Sequence, residues 1–252
     1  MKKLIILALL LLLPGIAGAV TDDFKRANGA LGSNWQGSYT GGINGTIVSQ
    51  KVRATAINDN VIQTWAASGG GAQSAQVTLS TFAPGLNGDG AVLLRAAATP
   101  TLTMYYVAAS QGTPSSTYIY RCVIGVCATS AQDASVTWAQ GDVLKATIDA
   151  GGVITVFRND VQVMIYTDPS PLTGTYTGFG MFTANSTGDV EIDDFDTFVG
   201  APPVPATITW TCDRCAVTSG SAVGTAPPSL ANWVIANLNL APGANIIDVL
   251  VT

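Results

Sequence analysis

"GDVLKATIDAGGVITVFRNDVQVMIYTD", Gly141 to Asp168, decides the fold. "DVLKATID" alternates apolar and polar residues with period two, the pattern of a strand with one buried face. Ala150-Gly151-Gly152 turns the chain into "VITVFR", and Asn159-Asp160 turns it into "VQVMIYT". Three strands joined by tight turns form an antiparallel meander. Outward from this run the same rhythm recurs: "SAQVTLSTF" alternates, and turn residues return every eight to twelve positions. Helical periodicity is missing beyond the first nineteen residues. Many evenly spaced strands predict an all-β chain, a two-sheet antiparallel jelly-roll sandwich.

Composition supports this and closes several routes. Only 11% of residues are charged, 27 are glycine, and valine and threonine are abundant. The net charge is −5 with basic residues scattered, so the phosphate-neutralising patch of a nucleic-acid binder is missing. The chain has no histidine. Serine-histidine and cysteine-histidine catalysis are therefore excluded, along with the commonest zinc ligand.

Residues 1–19 read as a signal peptide. Lys2 and Lys3 precede an apolar run from Leu4 to Leu13, and Ala17-Gly18-Ala19 supplies a cleavage site before Val20. Bacterial export to the exterior or the cell surface is expected, without a membrane span, since the run is short for a transmembrane helix. "GAPPVPA", Gly200 to Ala206, is a stiff linker. Residues 20–199 thus form one domain, and the 46 residues of 207–252 form a tail too small to bury a full core alone. Association through this tail is expected, since an open strand edge invites pairing.

In an exported chain four cysteines predict two disulfides. Cys122 and Cys127 flank the turn "VIGV", and Cys212 and Cys215 flank a turn at Asp213-Arg214. Two alternatives compete. A redox C-x-x-C lacks its βαβ surroundings, and a four-cysteine zinc site needs convergence across 84 residues.

"DDFKRANGALGSNW", Asp22 to Trp35, resembles the opening of secreted concanavalin A-like (laminin G-like) jelly rolls, D-x-F-x-R-x-(N/D)-G-x-L-G-x-x-W. "AVLLRAAATPTLTMYYV", the meander, and "GTYTGFGMFTANSTGDVEIDDFDTF" follow in the order of that family. The tail, through "ITWTCDRCAVTSGSAVGT" and "ANWVIANLNLAPGANIIDVLVT", resembles the second half of a bacterial immunoglobulin-like repeat.

Within "VEIDDFDTF", Val190 to Phe198, lies the chain's one glutamate. The resemblance offers two readings. Laminarinase-type glycosidases of this fold carry E-x-D-x-x-E, matched here by Glu191, Asp193 and Asp196 with a shorter final acid. In an unbulged strand Asp196 falls on the face opposite Glu191. The preferred reading is a closing strand beside the first, with Ile192 and Phe195 on opposite faces. Its carboxylates then meet solvent, or a structural Ca2+ held by Asp194 with Asp22 or Asp23. For a ligand, Arg95, Tyr105, Tyr106, Trp65 and Trp138 are candidates, since aromatic faces stack on sugars and arginine forks bind hydroxyls. Each also reads as a core or edge residue. The expected function is non-catalytic binding of a glycan or other surface polymer. The alternatives are a structural or adhesive module with a protein partner, and a laminarinase-like hydrolase using Glu191.

Overall fold

The computed structural model describes residues 19–37, 42–65, 71–82, 85–199, 205–212, 219–225 and 247–251. The expected leader, most of the linker and the Cys212–Cys215 bridge lie outside them. The strands are β1 Ala19–Asp22, β2 Gly29–Ala30, β3 Trp35–Gln36, β4 Gly42–Ile43, β5 Gly45–Val48, β6 Lys51–Ala54 and β7 Asp59–Trp65. They continue as β8 Gln73–Phe82, β9 Gly88–Ala96, β10 Met104–Ser110, β11 Ser116–Val123, β12 Val126–Asp133 and β13 Val143–Ile148. After these come β14 Val153–Arg158, β15 Val161–Thr167, β16 Tyr176–Thr183 and β17 Val190–Val199. The tail adds β18 Pro205–Cys212, β19 Ser219–Thr225 and β20 Ile247–Val251. The described residues contain no α-helix, and none long and apolar enough to cross a membrane.

Two sheets make the sandwich. The first runs β15-β14-β13-β8-β17-β6-β5-β2, with β1 beside β17; the second runs β12-β11-β10-β9-β16-β7-β3, with β4 beside β7. All pairings are antiparallel except β4 with β7. The tail strands form a separate sheet, β19-β18-β20. The meander is in place as β13-β14-β15. Its second turn works because Asn159 and Asp160 both hold positive φ, 50° and 62°, matching the right-handed twist of a tight hairpin.

Alternation along β8 turns Ala75, Val77 and Leu79 into the core, where they meet Val92, Leu94, Tyr105 and Val107 of the facing sheet. Trp35 anchors one end. It packs against Phe179 and Phe195, both at 4.8 Å between ring centres, and against Trp65 at 4.9 Å. The opening motif is the lock on this end. Asp22 accepts two bonds from Arg26 (2.6 and 3.0 Å) and one from the Trp35 indole (2.8 Å), while Arg26 also reaches the Leu31 carbonyl.

The closing strand corrects one expectation. One edge of β17 is shared: Glu191 and Ile192 pair with β6, and Phe195 to Phe198 pair with β1. Between these segments the register against β8 slips from Asp193↔Thr78 to Asp196↔Gln76, so Asp194 and Phe195 together oppose Val77. Asp194 absorbs the extra residue at φ 48°. This is a β-bulge. Ile192 and Phe195 consequently both enter the core, rather than opposite faces. Thr197 also points inward, bonding Thr177 of the facing sheet at 2.6 Å. Asp196, between Phe195 and Thr197, therefore shares the outer face with Glu191 and Asp193.

Candidate functional site

The outer face of the eight-stranded sheet carries its own apolar cluster, separate from the core: Ile62, Ala91, Leu93, Met104, Tyr106 and Cys122, flanked by Tyr118 and Tyr120. Such a face is normally polar in a sandwich exposed on both sides. Here it forms the walls of a cleft of about 250 Å³, lined by Asn60 and Ile62 of β7, Asp89 of β9, Leu102 of the loop before β10, Met104 and Tyr106 of β10, and Tyr120 of β11. The Cys122–Cys127 disulfide closes one end.

The local sequence explains the hollow. On β16, Phe179 and Met181 face the core, so Gly178 and Gly180 face outward and present no side chain. A Cβ at Gly180 would sit 2.4 Å from the Tyr106 ring. The glycine lets Tyr106 reach across β9 and lie low. Tyr106 pairs with Tyr120 across the β10–β11 ladder, at 6.2 Å between ring centres. Tyr118 lies two residues along the same face and stacks on Tyr120 at 5.4 Å and 17°. Together the three rings make a shelf beside the cleft.

Asp89 is the cleft's acid. The Tyr106 hydroxyl donates to its carboxylate, and no described Lys or Arg pairs with it. Burial pushes its carboxyl up to about 6, against the Tyr106 bond and the Phe182 amide that favour ionisation. Burial, then the charges of Asp89 and Tyr118, pushes the Tyr120 phenol up to about 12. The cleft therefore offers one carboxylate, one amide and the rings of two tyrosines to a polar ring-shaped ligand.

Of the five residues expected as ligand contacts, only Tyr106 borders this cleft. Arg95 is 5% exposed, and its guanidinium donates to the carbonyls of Leu172 (2.8 Å), Gly71 (3.2 Å) and Asp149 (2.6 Å). It clasps three loops. Tyr105 lies in the core, its hydroxyl bonded to Asp168 at 2.5 Å. Trp138 is fully buried and bonds Thr117 at 2.9 Å. Trp65 packs edge-on against Trp35. Residue type points to these four, but Tyr105 is turned into the core by its strand, Arg95 and Trp138 are buried, and Trp65 is half-buried against the core. Residue type alone does not point to Asp89, Asn60, Tyr118 or Tyr120. Their signal lies in the period-two spacing of Tyr118 with Tyr120 and of Gly178 with Gly180.

The acidic row on the other sheet is differently held. Glu191 is 6% exposed and accepts bonds from Arg53 Nε (2.9 Å), Arg53 Nη2 and Thr81 (2.6 Å), with Lys51 at 3.7 Å. Burial opposes its charge, but the Thr81 and Arg53 bonds and the two cations outweigh it and hold the carboxyl below its usual range. Burial raises Asp193 and Asp196. The bulge thus gathers the three acids on one face, which an unbulged strand forbids.

The corner expected to hold calcium does bring Asp23 and Asp194 together, both near Lys25 Nζ, at 3.8 and 4.0 Å. That ammonium stands where a cation would go. Asp22 is saturated by Arg26, Trp35 and the Phe24 amide at 2.9 Å. These donors do not fit a calcium ion, and no group of three or more acidic, cysteine or histidine ligands converges among the described residues.

No family model matches the chain, and no curated protein matches its sequence. Solved structures are similar to it. The carbohydrate recognition domain of Emp47p is 9% identical, covering 73% of this chain and 95% of its own, with a TM-score of 0.51. A native glycosidic hydrolase is 10% identical over 74% of this chain and 99% of its own, with a TM-score of 0.48. Carbohydrate binding module CBM66 from Bacillus subtilis is 12% identical over 64% and 92%, with a TM-score of 0.44. At 9% identity the Emp47p likeness is one of fold alone, the two-sheet antiparallel jelly roll.

Proposed function

We propose that the chain is an exported, non-catalytic glycan-binding module that takes its sugar in the cleft above β16. One observation carries this reading: an aromatic shelf, Tyr106 with Tyr120 and Tyr118, stands beside an acid and an amide, Asp89 and Asn60, in one hollow. A sugar ring has apolar faces and a belt of hydroxyls. The rings stack on the former, and the carboxylate and amide bond the latter. At about 250 Å³ the hollow is smaller than the roughly 300–1,000 Å³ of drug-sized sites. It suits one sugar unit of a longer polymer running across the face. The carbohydrate recognition domain of Emp47p agrees with the reading, and its likeness is of fold alone.

Titration calorimetry against a panel of oligosaccharides tests it. Tyr120→Ala should weaken the best ligand about tenfold, the worth of one stacked ring. Binding by the parent that Tyr120→Ala leaves unchanged would place the sugar elsewhere, and no binding to any sugar would leave the structural or adhesive reading standing.

The hydrolase reading has one favourable observation, the bulge that aligns Glu191, Asp193 and Asp196. It requires Glu191 to leave Arg53 and Thr81 during turnover. Steady release of reducing ends from laminarin, lost in Glu191→Gln, would establish it.

A further inference from the structure

We propose that the cleft prefers a sugar bearing a free ammonium group, an amino sugar such as glucosamine, over its neutral or acidic counterparts. The inference rests on the cleft being the glycan site and concerns which glycan enters it. Three observations carry it. Asp89 is a carboxylate without a cationic partner among the described residues, unlike Glu191, Asp22, Asp142 and Asp168, each of which is bridged by an arginine. Its walls are electron-rich rings, with Tyr106 bonded to it and Tyr120 next in line. And no Lys or Arg among the described residues lines the hollow. A carboxylate ringed by tyrosines attracts a compact cation twice, through charge-assisted hydrogen bonds and through the ring faces. A uronate or sulfated sugar meets the opposite, an unscreened like charge. A neutral sugar can stack and bond but supplies nothing to offset Asp89. The ammonium of an amino sugar is the one common sugar substituent that completes the site.

The test uses the full mature chain and short oligomers of equal length: glucosamine, N-acetylglucosamine, glucose and galacturonate. The glucosamine oligomer should bind about tenfold tighter than its N-acetylated form, the factor one charge-assisted bond supplies. Asp89→Asn keeps an acceptor for Tyr106 and should erase that preference, the glucosamine oligomer losing about tenfold more affinity than the neutral ones. Because the chain is acidic overall, a polycation can also cling without a site. Such attraction survives Asp89→Asn, and its survival would overturn the proposal. So would equal affinity for glucosamine and its N-acetyl form. Should Asp89→Asn fail to fold, Tyr120→Leu at the rim takes its place: it should weaken the cationic oligomer more than the neutral ones, and an equal loss for both would overturn the proposal. If no oligomer of any charge binds, the glycan reading itself falls, an outcome distinct from binding without preference.

Discussion

Two acids on opposite faces of the sandwich are handled in opposite ways. Glu191, outside the nine-stranded sheet, is closed off by Arg53, Lys51 and Thr81 and is held ionised. Asp89, outside the eight-stranded sheet, has a phenol and a backbone amide for partners and is pushed toward its neutral form. A buried charge with its counter-charge belongs to the fold; a half-buried charge without one is a cost to the fold that a ligand can relieve.

The largest break in that comparison comes from neutralising the paired acid. Glu191→Gln leaves Arg53 and Lys51 facing each other across an amide. Removing one partner of a fully buried pair costs about 3–5 kcal/mol. Arg53 and Lys51 are about one third exposed, at 35% and 34%, so solvent reduces this. A loss of about 1–3 kcal/mol in urea melts is expected. Asp89→Asn should be neutral or stabilising by the same measurement. Matching losses would erase the distinction.

Next in size is the disulfide at the end of the cleft. Cys122 and Cys127 are five apart, and opening so short a loop costs roughly 2 kcal/mol on the chain-entropy account. Replacing both by serine should lower the melting temperature and weaken sugar binding together, because Cys122 packs in one cluster with Met104 and Tyr106. A lower melting point with unchanged affinity would detach the hairpin from the site.

pH separates the two acids by sign. For Glu191 the folded carboxyl sits below its ordinary 4.5, so its contribution is full above that value and is lost as pH falls further. For Asp89 the folded carboxyl sits at about 6 against an ordinary 3.8. The folded state then binds the proton more tightly, so stability declines as pH rises from about 4 to about 6. Thermal melts of Asp89→Asn should lack that decline, and melts of Glu191→Gln should lack part of the acid-side loss. A decline over that window that persists in Asp89→Asn would assign it to other groups.

How much of this was legible in the sequence depends on the geometry each feature needs. The meander was legible because its turns demand particular residues: Gly152 at φ 87° and the Asn159-Asp160 pair at positive φ. The opening motif was legible because Asp22, Arg26 and Trp35 interlock within fourteen residues. The bulge was not. Asp194 adopts φ 48° without being glycine, and one such residue reverses every face after it. Arg95 does the same in β9, also at φ 48°. The cleft was hidden for another reason. Tyr105 and Tyr106 look identical in sequence, yet one fills the core and the other borders the cleft, and only pairing Tyr106 with Tyr120 reveals the shelf.

The smallest expected effect concerns the corner where the first and last strands meet. Asp23 and Asp194 are there a pair of acids with a cation already between them, intermediate between Glu191 and Asp89. Their side chains are 63% and 55% exposed and Lys25 is 57% exposed, so water screens all three. Exposed pairs of this kind contribute about 0–1 kcal/mol. Lys25→Ala should therefore shift stability by less than about 0.5 kcal/mol. Calcium and chelator should give coincident melts, because Asp22 has no lone pair to spare from Arg26, Trp35 and the Phe24 amide. A bound ion would show itself clearly: at a hundredfold excess over its dissociation constant it adds about 2.7 kcal/mol to the folded state. A calcium-dependent rise in melting temperature that Asp194→Ala removes would mean that Lys25 swings away and that the corner is a metal site after all.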